Sequence, residues 1–241
     1  LYSKGGPFNK WHGNLWTTIN WENYGQEMRN TGKAVFRNEI YYFQEGLTYT
    51  STGSKGSSFR KLPQGLLFDS GGSGIFKTDK KSTSLDYLMG FLNSKLAKYI
   101  LSCLNPTVNI TQGDIKRIPF VIPLKNVEKF ISLFTNQNVS IKEQLCNFSI
   151  VEINFEKSPV YFNSTSDLKQ RVLEYLNYEN YLLTQVLVNE TIINEEIFKV
   201  YELNEDDIKM VLDKEGKSLG SLPLEIEAKE TEKETEVSIL V

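Results

Sequence analysis

The segment whose residue types come nearest to cofactor chemistry is Leu67-Phe68-Asp69-Ser70-Gly71-Gly72-Ser73-Gly74-Ile75-Phe76. An apolar strand that ends in Asp and passes into closely spaced glycines could let backbone approach S-adenosylmethionine, because glycine carries no Cβ. The partner of such a loop would be Asn/Asp-Pro-Pro-Tyr, which holds an adenine amino group. The nearest approach, Asn105-Pro106-Thr107-Val108, lacks the second proline and the aromatic. The separation is also too short for the βα units such a domain places between its two motifs. A glycine-rich turn is therefore the favoured reading, and no cofactor is expected in this chain itself.

Other catalytic classes lack their parts. No GxxxxGK[ST] phosphate loop occurs. Asp114 and Lys116 in Gly-Asp-Ile-Lys echo a nuclease carboxylate–lysine pair, but the upstream acid is missing, so a surface turn before a strand is expected. His12 is the single histidine, which removes His-based zinc sites and Ser-His triads. Cys103 and Cys146 are expected to be buried reduced thiols rather than a disulfide. The five Asn-x-Ser/Thr triplets are read as products of an Asn-rich sequence.

Charge is the stronger signal. Residues 1–125 carry 16 Lys+Arg against 8 Asp+Glu, a net +8, whereas residues 126–241 carry 11 against 22, a net −11. The overall −3 conceals a basic half and an acidic half. The basic half interleaves cations with Trp11, Trp16, Trp21, Tyr49 and Phe59 and with Asn, Gln and Ser side chains, the mixture suited to a polyanion. Expected DNA contacts are Lys55, Ser57, Ser58, Arg60 and Lys61 in one loop, with Asn14, Arg29, Lys33 and Arg37 beside it. Lys77, Lys80 and Lys81 are expected to bind phosphate and set register.

These residues need a frame. Alternation and turn chemistry predict strands over Leu15–Asn20, Ala34–Phe36, Tyr41–Phe43, Gly46–Thr50 and Gly65–Phe68. Thr50–Ser58 has no apolar residue and is expected to be an exposed loop. Leu85, Leu88, Met89, Leu92, Leu96, Ile100 and Cys103 predict one helix over Leu85–Leu104, capped by Thr83 with Asp86. The Pro-punctuated segment from Ile118-Pro119 to Ile122-Pro123 that follows is read as a short strand or extended edge. Helices are predicted over Val127–Thr135, Ile141–Phe148, Asp167 to about Glu190, Asn194–Tyr201 and Asp206–Asp213, with Gly216 as the last stop. Residues 225–236 are almost devoid of apolar side chains and predict a linker or tail.

The run Gly13-Asn14-Leu15 through Trp21-Glu22-Asn23-Tyr24-Gly25-Gln26-Glu27-Met28-Arg29 resembles a signature of the adenine-specific DNA methyltransferases of BREX phage-defence systems (PglX). Tyr41-Tyr42-Phe43-Gln44-Glu45-Gly46 and Phe59-Arg60-Lys61-Leu62-Pro63-Gln64-Gly65 extend the resemblance. Gly90-Phe91-Leu92-Asn93-Ser94-Lys95, Leu104-Asn105-Pro106-Thr107 and Gln112-Gly113-Asp114-Ile115-Lys116 are similar to the end of target-recognition domains in Type I specificity subunits and Type IIG restriction-methyltransferases. The resemblance implies a parent enzyme that moves a methyl group from S-adenosylmethionine to adenine N6, with its catalytic domain upstream of Leu1.

The expected fold is α+β. Residues 1–123 would form a DNA target-recognition domain, a mixed, curved sheet with a packed helix. Residues 124–224 would form a mainly helical spacer and 225–241 a charged tail. The expected function is sequence-specific recognition of double-stranded DNA in the cytoplasm, without a membrane. Partners would be the upstream methyltransferase domain and other phage-defence proteins. A Type IIG or Type I specificity domain, and a protein scaffold that never touches DNA, stand as alternatives. A self-sufficient methyltransferase would require S-adenosylmethionine binding by this chain alone.

Overall fold

The computed structural model describes residues 1–79, 83–161 and 167–217. The fold is α+β, with a small sheet in the first half and long helices in the second. Lys80, Lys81 and the charged stretch 225–241 lie outside the described residues.

The sheet is built from β2 (Gly46–Thr50), β3 (Phe59–Leu62) and β5 (Gly72–Ile75), antiparallel in the order β3-β2-β5. A second, parallel pair joins β1 (Tyr2–Ser3) to β4 (Leu67–Phe68). The register sets Tyr49 opposite Phe59 and Leu47 opposite Ile75, placing all four on one face. That face packs on α2 (Leu85–Leu92), whose Tyr87, Met89 and Phe91 are buried with it. The other face carries Thr48 and Arg60.

Three expected strands are absent for identifiable reasons. Residues 15–20 contribute only a bridge from Thr17 to Tyr2. Residues 34–36 run without regular pairing, and Glu39–Tyr41 coil into one 3₁₀ turn. Their aromatics pack on one another instead of lining a pleat, with Trp21 against Phe36, Tyr42 and Phe43. α1 (Glu22–Asn30) begins with Asn23, Tyr24 and Gly25 in left-handed conformation before it turns right-handed.

The predicted helix over Leu85–Leu104 is two helices, α2 and α3 (Lys95–Leu104). Asn93 breaks it by pairing with strand backbone: its amide accepts from Phe59 N and donates to Phe59 O, both at 2.9 Å. Ser94 then caps α3 through Ala97 N. The cap of α2 is Ser84, which accepts from Tyr87 N, rather than Thr83. The break shifts the apolar stripe, so Cys103 is exposed on α3 instead of buried; both cysteines are free thiols. The motif Gly90–Lys95 is thus a joint between sheet and helices.

After α4 (Gln112–Arg117), residues 118–123 run without regular pairing. The two helices expected next are one, α5 (Lys125–Cys146). The polar interruption read as a break is internal: Asn138 accepts from Asn189 at 2.9 Å inside the helix pair. α6 (Leu168–Val200) likewise passes unbroken through Asn194, which donates to Glu190 O and accepts from Lys95 N. α7 (Glu205–Glu215) follows, with Gly216 as its C-cap.

One buried apolar cluster runs from Trp11, Leu47 and Phe59 through Tyr87 and Phe91 to Ile131, Ile193, Ile197 and Val211. Residues on both sides of position 123 therefore share a core. Charge joins them as well. Lys10 pairs with Glu190 at 3.2 Å and Lys98 with Glu215 at 2.8 Å, while Lys95 Nζ donates to the carbonyls of Glu215 and Gly216 at the end of α7. Part of the opposite charge of the two halves is spent on their contact.

Candidate nucleic-acid interface

The expected contact residues divide into three groups. Asn14, Ser57, Ser58 and Arg60 are interior, at 2%, 4%, 1% and 0% exposure. The expectation of an exposed loop through Ser58 is therefore corrected at its C-terminal end. Asn14 accepts from Asn9 and donates to Pro7 O, so it ties the N-terminal loop. Arg60 lies under that loop, where Nη1 donates to Asn9 O, Thr50 Oγ1 and Ser58 Oγ. Among the described residues no carboxylate pairs with it, and burial lowers its pKa to about 10. All four side chains are buried, and those of Asn14, Ser58 and Arg60 hydrogen-bond within the loops.

Two more cations, exposed Arg29 and half-buried Lys61, are committed to partners. Arg29 clamps its loop: it meets Glu39 at 2.5 Å, donates to Tyr24 O and stacks on Phe36 at 3.9 Å. Hydrogen bonding to Glu39 raises its pKa. Lys61 pairs with Glu45 at 3.1 Å. The third group is Lys33, Arg37, Lys55 and Lys77, all exposed. Among the described residues Lys33, Arg37 and Lys55 form no ion pair. Lys55 sits on a loop anchored by Gly53 N to Val108 O and Thr52 Oγ1 to Asn109 Oδ1. That anchor leads directly into α4, which supplies exposed Lys116.

Arg37 and Lys116 flank a cleft of about 980 Å³. Its walls are aromatic: Trp21, Phe36, Tyr41, Tyr42, Phe68 and Phe76. Tyr41 stacks on Phe76 with ring centroids 5.0 Å apart and planes 14° from parallel. Phe76 lies against glycine backbone, since a Cβ on Gly46 would come within 2.8 Å of its ring and one on Gly74 closer still. These glycines are thus required by a close approach. Polar groups converge from Asp69, Asn38 and Gln112. Burial first, then its hydrogen bond to Asp69, pushes the Tyr2 phenol well above its ordinary pKa, so Tyr2 stays neutral.

The glycine-rich run is a tight turn whose Asp69, Ser70, Ser73 and Gly74 also line this cleft. Asp69 Oδ1 accepts from Gly71 N and Gly72 N at 2.8 and 2.9 Å, which closes the turn on itself. Gly72 abuts backbone, since a Cβ on it would meet Lys4 C at 2.9 Å, whereas Gly74 packs on the Phe76 ring. Asn105 and Asp114 are structural too. Asp114 is the capping-box residue of α4 with Thr111, so the expected surface turn before a strand is a short helix. Asn105 donates to Asp114 at 2.9 Å, and this bond, with those from Thr111, lowers the carboxyl pKa. Among the described residues no group of three or more His, Cys, Asp or Glu could hold a metal ion. Nor is any helix there long and apolar enough to cross a membrane.

The cleft was not anticipated from sequence. Tyr41-Tyr42-Phe43 suggested a strand, and only the density of aromatics around one Arg-Asn pair pointed elsewhere.

No protein-family model matches the chain. Over 119 residues it is 42% identical to a protein named adenine-specific methyltransferase BrxX from Escherichia coli O9:H4 (strain HS). Over 125 residues it is 37% identical to one named adenine-specific methyltransferase PglX from Lacticaseibacillus casei (strain Zhang). Each match covers 49% of this chain and 10% of the relative, so the chain spans about a tenth of the length of the curated relatives it matches.

Proposed function

We propose that this chain is the DNA target-recognition part of an adenine-specific DNA methyltransferase of BREX-type phage defence. The parent would use S-adenosylmethionine, bound by a catalytic domain outside this chain, and act on double-stranded DNA in the cytoplasm. Residues 1–123 would contact DNA. The helices within 124–224 would brace that surface and dock the catalytic domain or other defence proteins.

The observation that carries the reading is how the cations divide. Lys10, Lys95 and Lys98 are consumed at the contact between halves, whereas Lys33, Arg37, Lys55 and Lys116 are exposed without an ion pair among the described residues. Such groups release counterions from a phosphate backbone at little desolvation cost. The two relatives named as adenine-specific methyltransferases support DNA as the polyanion.

The test is selection of the chain's preferred sites from a random-sequence duplex pool at low and moderate salt. An enriched motif, with affinity falling steeply as salt rises, is expected. Absence of binding at low salt would overturn the reading in favour of a protein scaffold.

A further inference from the structure

We propose that the aromatic cleft beside Arg37 and Lys116 binds an unpaired nucleobase of a DNA strand. The proposal rests on the DNA-recognition reading and assigns a ligand to one place within it.

Size, aromatic walls, polar lining groups and backbone strain converge. The cleft is far larger than a packing defect and lies within the range of ligand sites, roughly 300–1,000 Å³. Its walls are aromatic, the residue type on which any base can stack whatever its sequence. The Tyr41–Phe76 stack at 5.0 Å is a ready platform, and Phe68 lies 5.0 Å from Phe76 to extend it. Cations flank it: Arg37 and Lys116 would meet the phosphates on either side of an inserted nucleotide. Asn38 and Gln112 supply amides that can donate to and accept from a base edge.

The fourth is strain. Of the seven non-glycine residues with positive φ among the described residues, one lines this cleft and three lie next to its Trp21 wall in sequence or packing. Asn38 (57°) lines it, Phe43 (64°) packs on Trp21, and Asn23 (49°) and Tyr24 (59°) lie two and three residues after Trp21. Left-handed backbone at non-glycine residues persists where surrounding structure enforces it, and it concentrates at ligand sites. Tyr24 is also 79% exposed, so nothing in the core repays its conformation. An apolar peptide is a poorer fit, because the cleft mixes cations and amides with its rings.

The experiment compares binding of the whole chain to three duplexes of one sequence: fully paired, with one bulged adenine, and with an abasic residue at the bulge. The bulged adenine is expected to bind about tenfold tighter than the abasic bulge, the order of magnitude of one base–aromatic stack. Arg37→Ala should weaken both bulged duplexes equally. Tyr41→Leu, checked for native circular dichroism, should erase the difference between them. If that variant fails to fold, 2-aminopurine at the bulge reads the same contact in the unaltered chain, with emission expected to fall on binding as the base stacks. Equal affinity for adenine and abasic bulges with unquenched 2-aminopurine, while paired duplex still binds, overturns the cleft assignment and leaves DNA recognition standing. No binding to any of the three at low salt overturns both.

Discussion

Trp11 donates its indole N–H to Glu190 Oε1 at 2.8 Å, linking the N-terminal loop to α6 across 179 residues of sequence. Lys10 reaches the other oxygen of the same carboxylate at 3.2 Å. Trp11 is 1% exposed, and removal of Glu190 takes away the acceptor that its N–H has in this buried setting. Glu190→Ala is therefore expected to cost about 1–3 kcal/mol, the penalty of an unpaired buried donor. Glu190→Gln keeps an acceptor and should retain most of the stability. Urea denaturation midpoints of the two variants check this, and equal losses would contradict it.

His12 neighbours that joint and gives it a pH dependence. Burial is the largest influence and lowers its pKa below the ordinary 6.5; Lys142 pushes the same way and Glu143 opposes. The folded state thus resists the proton that the unfolded chain accepts. Above pH 6.5 both states hold a neutral imidazole and stability is at its full value. As pH falls from 6.5 towards the lower folded pKa, only the unfolded chain gains a proton, and stability declines. His12→Gln should flatten this part of the profile. A wild-type midpoint constant from pH 7 to pH 5 would refute it.

Arg60 and Lys55, expected to act together, make opposite predictions. Arg60 is fully buried, and its Nε and Nη2 have no hydrogen-bond partner among the described residues. Arg60→Met removes the buried charge but leaves Asn9 O, Thr50 Oγ1 and Ser58 Oγ without their donor, so a loss of about 1–3 kcal/mol is expected. DNA affinity should stay unchanged. Lys55→Ala should leave the melting curve native and weaken DNA binding, lowering the salt slope by about 0.9 if one phosphate contact is lost. Equilibrium binding at three salt concentrations separates the two.

The helical framework was largely legible because its signals are local. The apolar stripe of 85–104, the cap at Asp167 and the stop at Gly216 lie within a few residues of what they control. Asn93 and Asn138 were illegible for the opposite reason. One breaks a helix by binding a strand 34 residues away, and the other continues a helix through an amide partner 51 residues away. The interface was legible in its net charge and not in its geometry. Composition identifies a cation, but whether that cation is spent, as in Arg29 with Glu39, or buried, as in Arg60, depends on tertiary packing. The cleft was hidden because aromatics in short runs read as strand, and only left-handed turns at Asn23, Asn38 and Phe43 direct them inward.

Gly90 decides how closely α2 approaches α5. A Cβ there would come within 2.6 Å of Thr135 Oγ1 and 2.8 Å of Ile131 Cγ2, and both neighbours are fully buried. Two effects oppose each other in Gly90→Ala. Helix propensity favours alanine by about 1 kcal/mol. Overpacking at an inflexible helix contact costs about 1–3 kcal/mol. Thr135 and Ile131 belong to the same helix and cannot give way separately, so overpacking is expected to prevail and the variant to lose about 1 kcal/mol net. The double variant Gly90→Ala/Thr135→Ala relieves the closer of the two contacts and removes a hydroxyl that has no partner among the described residues. It should recover most of that loss, and a double-mutant cycle on thermal midpoints measures the coupling. A single variant more stable than wild type would mean that α2 and α5 separate at no cost, contrary to the continuous core that joins the sheet to the long helices.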